Sequence, residues 1–169
     1  VTLRLTYGID PGQTGALAVL ADGCFDRFID MPTIPRPAGG NQINAVELAT
    51  QVREVRANHP GAAEVAILEQ VHAMKGQGVS GMFRFGEGYG VIQGVFGTLG
   101  IAIVLVHPSK WKRTFQLTGQ DKDVARTVAT QRLPAAASLL TRKKDIGRAD
   151  AALLAIWGEL TEAAGPGRS

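Results

Sequence analysis

The chain has 169 residues, 45% hydrophobic and 20% charged, with a formal net charge of +3. That balance excludes a disordered or fibrous chain and fits one globular domain able to bury a core. The single cysteine, Cys24, excludes an internal disulfide and suits a reducing, cytoplasmic setting, where it reads as a small apolar filler.

In chain order, Leu3, Leu5, Tyr7 and Ile9 alternate with Arg4, Thr6 and Gly8, which predicts a half-buried strand ending at Asp10. Pro11-Gly12 and Gly15 turn the chain into a short apolar strand at 16–21, and Asp22-Gly23 signals a hairpin into a third strand at 25–31. Pro32, Pro35 and Pro37 with Gly39-Gly40 predict a loop without regular structure. Asn44 is placed to cap a helix through Val46, Leu48, Val52 and Val55, stopped by His59-Pro60-Gly61. Residues 65–69 form an apolar strand that again ends in an acid, Glu69. A glycine-rich stretch, 76–90, is expected as a loop leading into a helix that ends near Leu99, with a buried strand at 101–106. Helices are expected near 109–115, 121–133 and 148–163.

The run from Tyr89 to Val106 carries no charge, but Gln93 and glycines at 90, 94, 97 and 100 interrupt it. A helix followed by a strand accounts for it better than a membrane span, so no membrane role is expected. No segment with basic flank, apolar core and small-residue cleavage site opens the chain, so no secretion signal is expected either. Tight turns between the first three strands imply an antiparallel meander, and the helix-preceded later strands imply parallel crossovers. The expected architecture is α/β: a mixed five-stranded sheet with helices on both faces.

Charge is unevenly spread. Residues 110–148 hold ten basic and three acidic side chains, a balance of +7, while the rest of the chain sums to −4. A basic third on a mildly acidic protein suggests an anionic partner, with nucleic acid first among candidates and a solvated helix face as the alternative. Asp10 and Glu69 close two strands expected to run parallel about 4.8 Å apart. Two carboxylates so placed repel unless a cation lies between them, and oxygen-only ligands favour Mg²⁺ or Mn²⁺. A third acid, Asp150, opens the last apolar helix, where the helix dipole alone would favour it, and Asp145 lies five residues earlier. His59, His72 and His107 show no metal-site spacing and read as structural, with His72 nearest Glu69 in sequence.

The stretches GIDPGQTG with Asp10, VAILEQ with Glu69, HPSKWK, and DIGRADAALLA with Asp150 occur in the motif order of one family. The chain resembles the RuvC-like Holliday-junction resolvases of the ribonuclease H fold, particularly the short phage and poxvirus-type members. The resemblance covers about Leu5 to Gly158 and treats 1–164 as one nuclease domain, with 165–169 as a flexible tail. It implies a homodimer that holds branched DNA, a four-way junction, and nicks two opposing strands. Asp10, Glu69 and Asp150 would be catalytic metal ligands for Mg²⁺ or Mn²⁺. In bacterial members a fourth acid typically stands three residues before the last aspartate. That position is Gly147 here, so Asp145 is the nearest substitute.

On this reading two divalent ions, bridged by Asp10, assist in-line hydrolysis that leaves 5′-phosphate and 3′-hydroxyl ends. Lys110, Lys112 and Lys122 stand where the family has backbone-contacting lysines, and Lys143, Lys144 and Arg148 flank the last acids; all would contact DNA phosphates. Phe83 and Phe85, with Arg84 between them, are candidates to wedge into the junction. Gly86, Gly88 and Gly90 do not follow a strand as a dinucleotide fingerprint requires, so no nucleotide cofactor is expected. Three other readings stay open. A sugar-kinase or actin-like binder shares the strand-turn opening but needs two such domains. The others are a non-catalytic member of the fold and a nuclease acting on other branched DNA or on RNA–DNA hybrids.

Overall fold

The computed structural model describes residues 2–72 and 78–163. The expected tail, 165–169, and the start of the glycine-rich stretch lie outside the described residues. Strand β1 (Arg4–Asp10) pairs antiparallel with β2 (Ala16–Ala21), which pairs antiparallel with β3 (Cys24–Asp30). On its other side β1 pairs parallel with β6 (Ala63–Glu69), and β6 pairs parallel with β7 (Ala102–Val106). The five-stranded order is β3-β2-β1-β6-β7, the mixed sheet that the turns and crossovers imply.

Where a loop without regular structure is expected, β4 (Thr33–Pro35) and β5 (Asn41–Ile43) form a small antiparallel hairpin. Proline is tolerated there because Pro35 sits on a two-stranded ribbon with few ladder bonds to lose. Cys24 is exposed at the start of β3, so it fills no core space.

Alternation along β1 assigns its two faces. Leu5, Tyr7 and Ile9 join the core under α1 (Ala45–Asn58) and α2 (Val79–Thr98), with Leu48, Val52, Val55, Ile92 and Phe96. Thr6, Gly8 and Asp10 face α5 (Ile146–Ala163). A Cβ on Gly8 would lie 2.0 Å from the Ala151 carbonyl oxygen, so glycine is what lets α5 press onto the central strand. Gly158 makes the matching approach, its absent Cβ falling 2.5 Å from Ile67. Helices α3 (Pro108–Thr114) and α4 (Lys122–Arg132), with 3₁₀ turns Pro134–Leu139 and Lys143–Asp145, complete this second core around Trp111 and the small face of α5.

The caps follow sequence logic. The Asn44 side chain accepts from the Glu47 amide, Asp121 accepts from the Asp123 amide, and His107 Nδ1 accepts from the Ser109 amide ahead of Pro108. Helix α2 begins at Val79, earlier than expected, and takes up most of the glycine-rich stretch. Among the described residues no helix is long and apolar enough to cross a membrane.

Candidate active site

Ile9 pairs with Leu68 in the parallel register, so Asp10 and Glu69 are the next residues on adjacent strands, both on the α5 face. After Asp10 the chain reverses through Gly12, at φ 139°, and Gly15, whose amide donates to the Gly12 carbonyl at 3.1 Å. A Cβ on Gly15 would lie 2.1 Å from the Asp10 carbonyl oxygen, so a larger residue cannot make this turn unchanged.

Helix α5 supplies the third acid. It starts at Ile146, ahead of the expected Arg148, which puts Asp150 one turn inside the helix rather than at its opening. The dipole explanation therefore weakens, since that effect is confined to the first turn. What remains is a half-buried carboxylate between Ala149 and Ala151, with no local structural reason to be acidic.

The three groups act on one another. Burial first, then the charges of Asp150 and Glu69, push the Asp10 carboxyl well above the ordinary carboxylate range. Burial and then Glu69 push Asp150 up to about 6. Lys112 and Lys122 pull both back down, which puts these two ammonium groups beside the acids. A half-buried group of mutually repelling carboxylates is short of positive charge, and its all-oxygen donor set suits a hard divalent cation. Among the described residues no three His, Cys, Asp or Glu side chains are drawn together as a closed ligand set.

Glu69 is held from behind. The fully buried Trp111 of α3 donates its indole N–H to Glu69 Oε2 at 2.7 Å. Lys112 Nζ lies 5.3 Å from the centroid of the same indole ring. Trp111 escapes sequence reasoning as a site residue, because an isolated tryptophan between two lysines signals only core; the HPSKWK motif that contains it was the available signal.

Asp145, the expected fourth ligand, is engaged by arginines in this structure. Its buried carboxylate accepts from the Arg142 amide at 2.8 Å and from the Arg142 guanidinium at 2.7 Å, with Arg148 at 4.0 Å. Those hydrogen bonds, led by the Arg142 side chain, hold it below the ordinary carboxylate range, the opposite direction from Asp10 and Asp150. Gly147, at the family's fourth-acid position, instead puts bare backbone against the site. A Cβ there would lie 2.7 Å from the Thr14 carbonyl and 3.2 Å from Asp10 Oδ2.

The cations divide into two groups. Lys110, Lys122, Lys143 and Lys144 are exposed and Lys112 is half-buried, and none has an ion pair among the described residues. Arg148 is different: its guanidinium grips Asp30 through two 2.7 Å bonds and also donates to the Leu139 carbonyl. It fastens α5 to the end of β3.

Phe83 and Phe85 stand two residues apart on α2, so they point to different sides rather than sharing a loop tip. Phe83 is 71% exposed. Phe85 turns inward, its ring 3.7 Å from the Cβ position of Gly12 in the Asp10 turn. Arg84, between them, is exposed and reaches toward Gly40. His72 and His107 lie with ring centroids 5.5 Å apart, at the ends of β6 and β7.

No family model and no curated protein sequence matches the chain. Solved structures do. The chain is similar to "T. thermophilus RuvC in complex with Holliday junction substrate", with a TM-score of 0.59 and 15% identity over 96% of this chain and 97% of that one. It is also similar to a Thermus thermophilus RuvC structure, with a TM-score of 0.56 and 14% identity over 95% and 97% of the two chains. The described residues share the ribonuclease H-like fold of these RuvC structures.

Proposed function

We propose that this chain is a divalent-metal-dependent, structure-selective DNA endonuclease that resolves four-way junctions by paired nicks. The observation that carries the reading is that Asp10, Glu69 and Asp150, from β1, β6 and α5, are half-buried and repel one another. The shared fold supports it, since one neighbour is a RuvC in complex with a Holliday junction substrate.

Asp10, Glu69 and Asp150 would hold Mg²⁺ or Mn²⁺, two ions on the expected scheme. When bound, the metal supplies charge neutralisation at phosphorus and an activated water. The chain's own groups do the rest. Trp111 keeps one oxygen of Glu69 occupied and so orients the other. Lys112 and Lys122, beside the acids, draw the scissile phosphate in, while Lys110, Lys143, Lys144 and Arg84 track the flanking backbone. Exposed Phe83 is the residue left to wedge the junction. Symmetric cutting of two strands requires two such sites, so the acting species is a homodimer.

The test is cleavage of an immobile four-way junction with Mg²⁺, against a linear duplex and an RNA–DNA hybrid, with Asp10→Asn as control. Paired nicks on the junction alone, absent in the variant, are expected. Cleavage of the hybrid alone would move the substrate elsewhere within the fold. Junction binding without any cleavage would overturn the enzymatic reading.

A further inference from the structure

Helix α3 carries two groups of the site and is only seven residues long. Trp111 holds Glu69, and Lys112 pulls Asp10 and Asp150 down. A helix this short gains little from its own ladder, so the fixing of its first turn decides where those side chains sit. Pro108 has no N–H to satisfy, and the Lys110 amide turns back to the His107 carbonyl at 2.9 Å. That leaves the Ser109 amide, which donates to His107 Nδ1 at 3.2 Å. The Ser109 hydroxyl lies 2.8 Å from the same nitrogen. Val106, immediately before, stands opposite Glu69 in the register, and its carbonyl accepts from the Gln70 amide at 2.7 Å. His107 is therefore the joint between the strand that fixes the Glu69 backbone and the helix that fixes its side chain.

Histidine gives this joint a property that the common caps serine, threonine and asparagine lack. An amide N–H can only donate, so Nδ1 presents a lone pair and the ring proton sits on Nε2. An imidazolium has no lone pair, since both its nitrogens are donors. Protonation thus deletes the bond to Ser109 and puts a positive charge at the positive end of the helix. His107 is exposed, so protons reach it. Among the described residues the ionisable groups around it are Glu69, opposite Val106, His72, just past the end of β6, and Lys110 on α3 itself. None of them is a hydrogen-bond partner of Nδ1. The His72 ring, 5.5 Å away between centroids, adds like charge when both rings are protonated.

We propose that His107 is a positioning residue of the nuclease site. Its unprotonated Nδ1 sets α3 so that Trp111 and Lys112 reach the acids, and cleavage weakens when this nitrogen takes up a proton. The inference rests on the nuclease reading above.

Two readouts test it, both at about pH 8 and about pH 5, the limits between which an imidazole changes charge. His107→Asn keeps a capping acceptor that does not titrate, and His107→Ala removes the acceptor. At the upper pH, His107→Asn should cleave a four-way junction within about two-fold of wild type, and His107→Ala about five-fold more slowly, the factor for one lost N-cap. At the lower pH, wild type should fall about five-fold below His107→Asn for the same reason. The second readout needs no DNA: the Trp111 indole N–H is followed by NMR in metal-free protein, its signal identified by its absence in Trp111→Phe. On acidification it should move further in wild type than in His107→Asn. A ratio of wild type to His107→Asn that does not change with pH in an active protein overturns the inference, as does an indole signal that moves equally in both. His72→Gln should leave both differences in place; their loss would assign the titration to His72 and overturn the inference too. A wild-type-specific indole shift in a protein that cuts no junction keeps His107 as the group that positions Trp111 and defeats the nuclease reading instead.

Discussion

Trp111 donates its indole N–H to Glu69 Oε2 at 2.7 Å, linking the acid at the end of β6 to the first helix after β7. The indole is fully buried, so this bond is made away from competing water. One oxygen of Glu69 is thereby fixed, which restricts the orientation of the carboxylate. Trp111→Phe keeps most of the packing and removes the donor. The expected result is a Mg²⁺ requirement raised several-fold and a maximal cleavage rate lowered about ten-fold, as for loss of a group that orients a metal ligand. Junction affinity measured in Ca²⁺ should not change. Equal loss of affinity and rate would mean that the tryptophan acts only through folding.

The repelling acids set a relation between stability and pH. Asp150 is pushed up to about 6 from an ordinary 3.8. Its neutral form is the stabilising one. That contribution is fully present below pH 3.8 and is lost as pH rises through about 6. In metal-free protein, Asp150→Asn removes the loss. The variant should be more stable than wild type at pH 8 by roughly 1–3 kcal/mol, a gap that narrows towards pH 4. Thermal unfolding in EDTA at the two pH values reads this directly, and added Mg²⁺ should stabilise wild type alone.

Asp145 and Asp10 should behave in opposite ways. Hydrogen bonds from Arg142 hold Asp145 below the usual carboxylate range, so its stabilisation is present above pH 3.8 and is lost as pH falls through its lower folded value. Asp145→Asn is expected to lower Tm by several degrees at pH 7 while keeping cleavage per folded molecule within a few-fold. Asp10→Asn should abolish cleavage. Loss of cleavage by folded Asp145→Asn protein would place it in the ligand set.

Gly147 tests whether a fourth acid could be accommodated. A Cβ there meets the Thr14 carbonyl at 2.7 Å and Asp10 Oδ2 at 3.2 Å. Both Gly147→Ala and Gly147→Asp are expected to destabilise by about 1–3 kcal/mol through overpacking. Neither should raise the cleavage rate. A faster Gly147→Asp enzyme would show that the turn can yield to admit another ligand.

Lys112 and Lys122 are expected to serve twice. As phosphate contacts, each replaced by Gln should lower the slope of log affinity against log salt by about 1. Both also hold the Asp10 and Asp150 carboxyls down. Their loss should therefore move the acid limb of the cleavage–pH profile to higher pH. Lys143→Gln and Lys144→Gln, on the neighbouring turn, should change the salt slope without moving that limb.

Local chemistry by itself determined much of this protein. Period-two alternation in β1, the turn residues of the meander and the Asn44 and Asp121 caps are interactions between near neighbours, so they are written in near-neighbour spacing. Asp10 and Glu69 were legible for the same reason: each ends an apolar strand, and parallel pairing of those strands leaves them adjacent. Tertiary structure alone decided the rest. Gly8 and Gly158 let α5 lie close on the sheet, and that approach brings Asp150 to the other acids from one turn inside its helix. The commitments of Asp145 to Arg142, Arg148 to Asp30 and Trp111 to Glu69 depend on which partner the folded chain places within hydrogen-bond reach. Charge and composition are alike for a free and a tethered arginine; only the position of Asp30, 118 residues away in the chain, distinguishes them.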